Sequence, residues 1–145
     1  EGKKNPKART SFRWVPNGIP GVETRLPVFF SEGVSKGRIT VNEFVALSAT
    51  NHARMYGLYP QKGSIGVGFD ADIALWDPNR KEIIRQEILH HGSDYTPWEG
   101  FEVTGWPVMT IAGGEIVAQD GKLCGKKGRG RVLSRNLSPY AAPAA

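Results

Sequence analysis

Between Val41 and Tyr56 the apolar positions Val41, Phe44, Val45, Ala49, Ala53 and Tyr56 recur at intervals of three and four, the spacing that puts side chains on one helical face. The start is marked too. In Thr40-Val41-Asn42-Glu43 the Thr hydroxyl can accept from a first-turn amide while the Glu carboxylate reaches back to the cap, the reciprocal bonds of a capping box. Gly57 and Pro60 supply a stop, so a helix is predicted over about 41–56. Upstream, residues 1–27 are dense in Pro and Gly, notably Pro16-Asn17-Gly18-Ile19-Pro20-Gly21, which breaks regular helix and predicts a structured connector. The apolar run Leu26, Val28, Phe29 and Phe30 reads as a short buried helix or strand, and its length does not decide between them.

After Pro60 the pattern shortens. Gly63, Gly66 and Gly68 punctuate a turn region, and Ala71 to Asp77 reads as one strand ended by Asp77-Pro78. Lys81 to Leu89 is read as a further strand. Phe101 to Ala112 and Glu115 to Gln119 flank Gly113-Gly114, a two-residue hairpin signal. Short antiparallel strands behind a helix suggest a small β domain, not a self-contained α/β sheet. No internal repeat is visible.

Composition sets bounds on these elements. At 145 residues, with 39% hydrophobic and 23% charged residues, the chain is about one domain long and close to a globular average. No apolar run approaches the roughly 20 residues of a membrane span, and Glu1 to Arg13 has the charge of a signal n-region without the apolar segment behind it. The expectation is a soluble, cytoplasmic chain with no membrane partner, and the single Cys124 leaves no internal disulfide to form. The net charge of +5 is concentrated at one end: Lys122, Lys126, Lys127, Arg129, Arg131 and Arg135 follow Gly121 with no acidic residue among them, so the body is nearly neutral. Basic residues set among glycines, without aromatic platforms, predict a solvated or subunit-contacting tail and argue against a nucleic-acid partner.

Candidate chemistry is sparse. The three histidines are His52, on or beside the helix stripe, and the adjacent pair His90-His91, whose side chains diverge and do not grip one metal together. No metal site is expected, and His52 is expected to be a hydrogen-bonded packing residue. A Gly-x-Ser-x-Gly nucleophile turn is absent, and Gly63-Ser64-Ile65-Gly66-Val67-Gly68 lacks the strand and helix a dinucleotide loop requires. Cys124 has basic neighbours but no base near it in sequence, so it reads as an incidental thiol. Glu23 and Arg25 are read as a structural ion pair holding the loop, in preference to a catalytic acid and an anion clamp.

Longer runs carry more information than single residues. Pro16 through Pro27 (Pro-Asn-Gly-Ile-Pro-Gly-Val-Glu-Thr-Arg-Leu-Pro) resembles the segment after the last metal-ligand aspartate in the dihydropyrimidinase and D-hydantoinase family. Asn51 to Gly63 and Gly68 to Pro78 are similar to the C-terminal pattern of amidohydrolases. Tyr95 to Gly100, Gly105 to Val108 and Gly113 to Val117 resemble the hydantoinase group again. The resemblance runs from about Thr10 to Arg135.

The resemblance implies an α/β fold: the C-terminal fragment of a (β/α)8 barrel, with its last loop and helices, followed by the C-terminal strands of a small β-sandwich. Residues 1–60 would end the barrel, 61–120 would belong to the sandwich, and 121–145 would form the basic tail. It implies a hydrolase opening cyclic amides such as dihydropyrimidines and 5-substituted hydantoins, with two zinc ions held by residues that precede this chain. The chain itself would bind no metal, contribute no catalytic residue and be inactive alone. Its partners would be a cyclic amide or ureide substrate, the N-terminal remainder of the enzyme, and further copies in a tetramer or dimer. Asn17 is the one site residue carried over, as a substrate-binding position acting through its main chain. An allantoinase, or a non-catalytic dihydropyrimidinase-related assembly protein, is the alternative.

Overall fold

The computed structural model describes residues 6–15 and 17–141. After short 3-10 turns at Pro6–Arg9 and Phe12–Trp14, the ambiguous apolar run resolves as helix. α1 spans Val22–Phe29 and continues as a wider π-helical stretch over Phe30–Ser35. The connector therefore ends at Gly21, earlier than the Pro and Gly content suggested. Thr24, Pro27, Val28 and Ser31 are buried, at the i, i+3, i+4, i+7 spacing of one face. Pro27 is tolerated inside α1 although it removes one ladder bond.

The capping box is present as predicted. The Glu43 amide donates to Thr40 Oγ1 at 3.2 Å, and the Thr40 amide donates to Glu43 Oε2 at 2.7 Å. The helix that follows covers the predicted range in three parts: α2 at Val41–Val45, a π-helical stretch at Ala46–Thr50, and α3 at Asn51–Met55. It stops at Gly57, whose φ of +69° is glycine territory; a Cβ there would lie 1.9 Å from the Asn136 carbonyl oxygen. The Asn136 amide donates to the Gly57 carbonyl at 2.9 Å, so the chain beyond the basic run returns to the helix end.

Four antiparallel strands form one sheet in the order β1-β2-β3-β4, with β1 at Ile73–Ile83, β2 at Glu102–Ala112, β3 at Glu115–Gln119 and β4 at Lys122–Leu123. The expected end of β1 at Asp77-Pro78 does not occur. Asp77 Oδ1 accepts from the amides of Asn79 and Arg80 at 2.9 and 3.2 Å, which turns the dipeptide into a bulge between the pairs Asp77↔Trp106 and Lys81↔Thr104. The separate strand read over Lys81 to Leu89 is thus the far half of β1 followed by a 3-10 turn at Gln86–Ile88. The Gly113-Gly114 hairpin forms with φ of +56° and +81°. Its Gly113 amide donates to Asp72 Oδ1 at 2.7 Å, tying the turn to the entry of β1.

Two clusters join helices and sheet. One is Val28, Ile84, Leu89, Val103 and Trp106. The other is aromatic: Phe30 stacks on Trp76 at 4.9 Å between ring centroids and meets Phe44 edge-on at 5.2 Å. Gly105 lies beside Phe30 with φ of +94°, and a Cβ at that position would come within 2.2 Å of the Phe30 ring. Among the described residues no helix is long and apolar enough to cross a membrane.

Candidate functional site

The loop nominated by the sequence is open to solvent. Asn17, Gly18 and Ile19 are exposed, and among the described residues no main-chain hydrogen bond ties residues 17–19 to another element. Gly18 takes φ of +85° with no heavy atom within 4 Å of a virtual Cβ. Peptide N–H and C=O groups in this position have water as their competitor, so a ligand with complementary donor and acceptor edges can engage them without breaking internal structure. The Asn17 backbone is geometrically available.

α1 begins directly after this loop, with the Arg25 amide donating to the Gly21 carbonyl at 2.9 Å. Glu23 lies in the first turn, where a carboxylate complements the positive end of the helix dipole. Its partner is not Arg25, as the sequence suggested, but His90. The His90 amide donates to Glu23 Oε2 at 2.7 Å, and His90 Nδ1 lies 2.8 Å from Glu23 Oε1. Arg25 is exposed. An i, i+2 pair on a helix points in different directions, which is why the local pairing fails. The hydrogen bond and charge of Glu23 raise the His90 pKa above its ordinary value, and the Gly121 main chain adds to the effect.

Glu23 and His90 stand on the wall of a cavity of about 330 Å³ between α1 and the sheet, which Trp106 and Met109 of β2, Asp120 of the β3–β4 turn and Lys122 of β4 also line. The other histidines do not join it. His52 is exposed on α3, with Nδ1 3.2 Å from the Ser48 carbonyl oxygen, so it is hydrogen-bonded but not a packing residue. His91 buries both ring nitrogens with no hydrogen-bond partner among the described residues. Cys124 is exposed, with Sγ 3.8 Å from the Ile116 carbonyl oxygen. Among the described residues no three of His, Cys, Asp and Glu group so as to hold a metal ion. Among the described residues the arrangement offers polar main-chain groups and an acid–imidazole pair, and no nucleophile paired with a base. Sequence reasoning missed the Glu23–His90 pair because 67 residues separate its members, and no local pattern joins them.

Comparison with known proteins gives these features a context. Residues 20–117 match the amidohydrolase family. The chain is 46% identical over 127 residues to the D-hydantoinase of Geobacillus stearothermophilus, a match covering 88% of this chain and 27% of that protein. It is 44% identical over 136 residues to the D-phenylhydantoinase of Escherichia coli (strain K12 / DH10B), covering 94% of this chain and 29% of the relative. A crystal structure of D-hydantoinase superposes with a TM-score of 0.85 at 46% identity, over 88% of this chain and 28% of that one. The chain thus spans under a third of the length of the relatives it matches.

Proposed function

We propose that this chain, which belongs to the amidohydrolase family, is the C-terminal part of a hydrolase that opens cyclic amides, dihydropyrimidines and 5-substituted hydantoins among them. The carrying observation is the identity of 44–46% to two hydantoinases across 88–94% of the chain. In this reading residues 1–60 end a (β/α)8 barrel, 61–120 belong to a β-sandwich, and 121–145 form a tail. The protein works in the cytoplasm as a homo-oligomer.

The reaction class calls for a metal, and the family resemblance names two zinc ions. The described residues of this chain do not fit that role, since they offer no group of metal ligands. No chemical step is therefore assigned to them. Their contribution is positional. The main-chain N–H and C=O at Asn17 present a donor–acceptor edge to a ring that carries both, and a segment bounded by Pro and Gly loses little entropy on binding.

The test is ring opening of hydantoin and dihydrouracil by the whole protein, with zinc supplied. Asn17→Ala should change kcat/KM by no more than about threefold, because the proposed contacts are main-chain. Asn17→Pro deletes the N–H and constrains the turn; loss of one or two such bonds should lower kcat/KM by roughly 10- to 100-fold. The 145-residue chain alone should be inert. Turnover by that chain would overturn the assignment, and absence of turnover by the whole zinc-loaded protein would favour a non-catalytic assembly role.

A further inference from the structure

We propose that Glu23 and His90 form a positioning clamp that sets where α1 presents the Asn17–Gly21 loop, an inference that rests on the substrate role of Asn17. At the far end of α1, Ser31 Oγ accepts from the Thr104 amide at 3.0 Å and Ser35 Oγ donates to the Thr104 carbonyl at 2.8 Å. At its near end, both Glu23 carboxylate oxygens engage His90, one through the main-chain amide at 2.7 Å and one at Nδ1, 2.8 Å away. Thr24 Oγ1, by contrast, bonds only locally, to the Gly21 carbonyl at 3.3 Å. Polar ties at both ends thus supplement the packing of the buried Thr24, Pro27 and Val28, which holds the middle of the helix against the core.

The distance between the ties gives the clamp its leverage. Residues 23 and 31 are separated by about 12 Å along a helix rising ~1.5 Å per residue. If the near tie is released, a tilt of only ~5° about Ser31 moves the first turn by about 1 Å, and misplacements of ~1 Å are enough to cost binding or rate severalfold to 100-fold. Residues 17–19 have no main-chain hydrogen bond of their own to resist this among the described residues. Glu23, two residues beyond the loop, is the nearest tie it has to another element.

The clamp is also sensitive to pH. His90 faces Glu23 from α1 and the main chain of Gly121 from the β3–β4 turn, while Asp120 of that turn and Lys122 of β4 share the cavity wall. With its pKa raised by Glu23, protonated His90 strengthens the clamp at low pH. That charge assistance fades as pH rises through the raised value, although neutral His90 can still donate from Nδ1.

The experiment has three arms. In the 145-residue chain, proton NMR of Glu23→Gln should return the His90 titration toward its ordinary range, and amide exchange over residues 18–25 should quicken in Glu23→Ala. In the whole protein, Glu23→Ala should raise KM for the cyclic amide about tenfold while kcat falls less than twofold, the signature of lost uniform binding, and His90→Ala, which keeps the main-chain bond to Glu23, should raise it about threefold. His90→Asn, which keeps a donor near the Nδ1 position, should restore most of the KM and abolish its rise with pH. Unchanged KM in Glu23→Ala, in a protein where Asn17→Pro does raise KM, would overturn the clamp alone. If neither variant moves KM, the Asn17 reading falls first and the clamp with it. Failure of His90→Asn to rescue would likewise reject a positioning role.

Discussion

Replacing Gly105 by alanine should destabilise the fold more than any other single methyl addition at a glycine of β2 or its flanks, and the structure divides the cost into two parts. The first is conformational. Gly105 has φ of +94°, beyond the region L-residues visit routinely, for a penalty of about 1–2 kcal/mol. The second is steric. The new Cβ would stand 2.2 Å from Phe30 Cδ1 and 2.4 Å from Cε1, and the ring has nowhere to retreat, being stacked on Trp76 and edge-packed on Phe44. Overpacking of this kind costs about 1–3 kcal/mol, for a total of roughly 2–5 kcal/mol. Gly100 supplies the control: its φ is +79° with nothing within 4 Å of a virtual Cβ, so Gly100→Ala should incur only the backbone part. Urea unfolding followed by Trp fluorescence, with Trp76 reporting from the cluster itself, should show a midpoint shift for Gly105→Ala about twice that for Gly100→Ala at unchanged slope. Adding Phe30→Leu should recover part of the loss, as a positive coupling in a double-mutant cycle. Equal shifts for the two glycine variants would refute the contact with Phe30 as the source.

Thr40→Ala removes one half of the capping box and should cost about 1 kcal/mol, read as a lower denaturation midpoint, with Glu43→Gln costing less because it can still accept from the Thr40 amide. Asp70 and Asp72 are held below the ordinary carboxylate range chiefly by hydrogen bonds from Lys62, whose own pKa they raise; a depressed acid stabilises above its unfolded pKa, so stability should fall as pH drops below about 4, and the fall should be shallower in Lys62→Met when urea midpoints at pH 7 and pH 3 are compared. At the alkaline end the sign reverses: Lys62 stabilises fully below its unfolded pKa, and that contribution should vanish as pH rises through the raised value. The run of exposed apolar residues Phe12, Trp14, Val15, Ile19 and Val22 should make the 145-residue chain self-associate or bind a hydrophobic dye, whereas a monodisperse, dye-free monomer by light scattering would contradict it.

The local parts of this fold were legible because their causes are local. The capping box lies within four residues, the helix stripe within sixteen, and the Gly113-Gly114 turn needs only two residues with positive φ. Asp77-Pro78 misled for an equally physical reason. The dipeptide is a turn former, but its carboxylate closed the turn on Asn79 and Arg80 while Lys81 to Ile83 found partners again on Thr104 to Glu102, so a tertiary ladder overrode a local stop. β4 went unread because two residues carry no period, and it exists through the Asp120-Gly121 turn, where both φ values are positive.

The candidate site was nominated by another route. Asn17 was named through a twelve-residue resemblance, and no spacing or periodicity would have singled out one exposed asparagine in a Pro/Gly-rich loop. What holds that loop in place was invisible for the opposite reason. Glu23 had a nearer cation in Arg25 and His90 a nearer neighbour in His91, and in each case proximity in sequence suggested the wrong relationship. On a helix, residues two apart face away from each other, so Glu23 was free to turn inward and Arg25 outward. Adjacent side chains outside a helix diverge, so His90 could meet α1 while His91 turned both ring nitrogens away from solvent, without a partner among the described residues. The same geometric rule that excluded His90-His91 as a metal pair should have counted against Glu23-Arg25. Applied to both, it leaves an acidic side chain and an imidazole each lacking a local partner, and the fold then supplies each with the other.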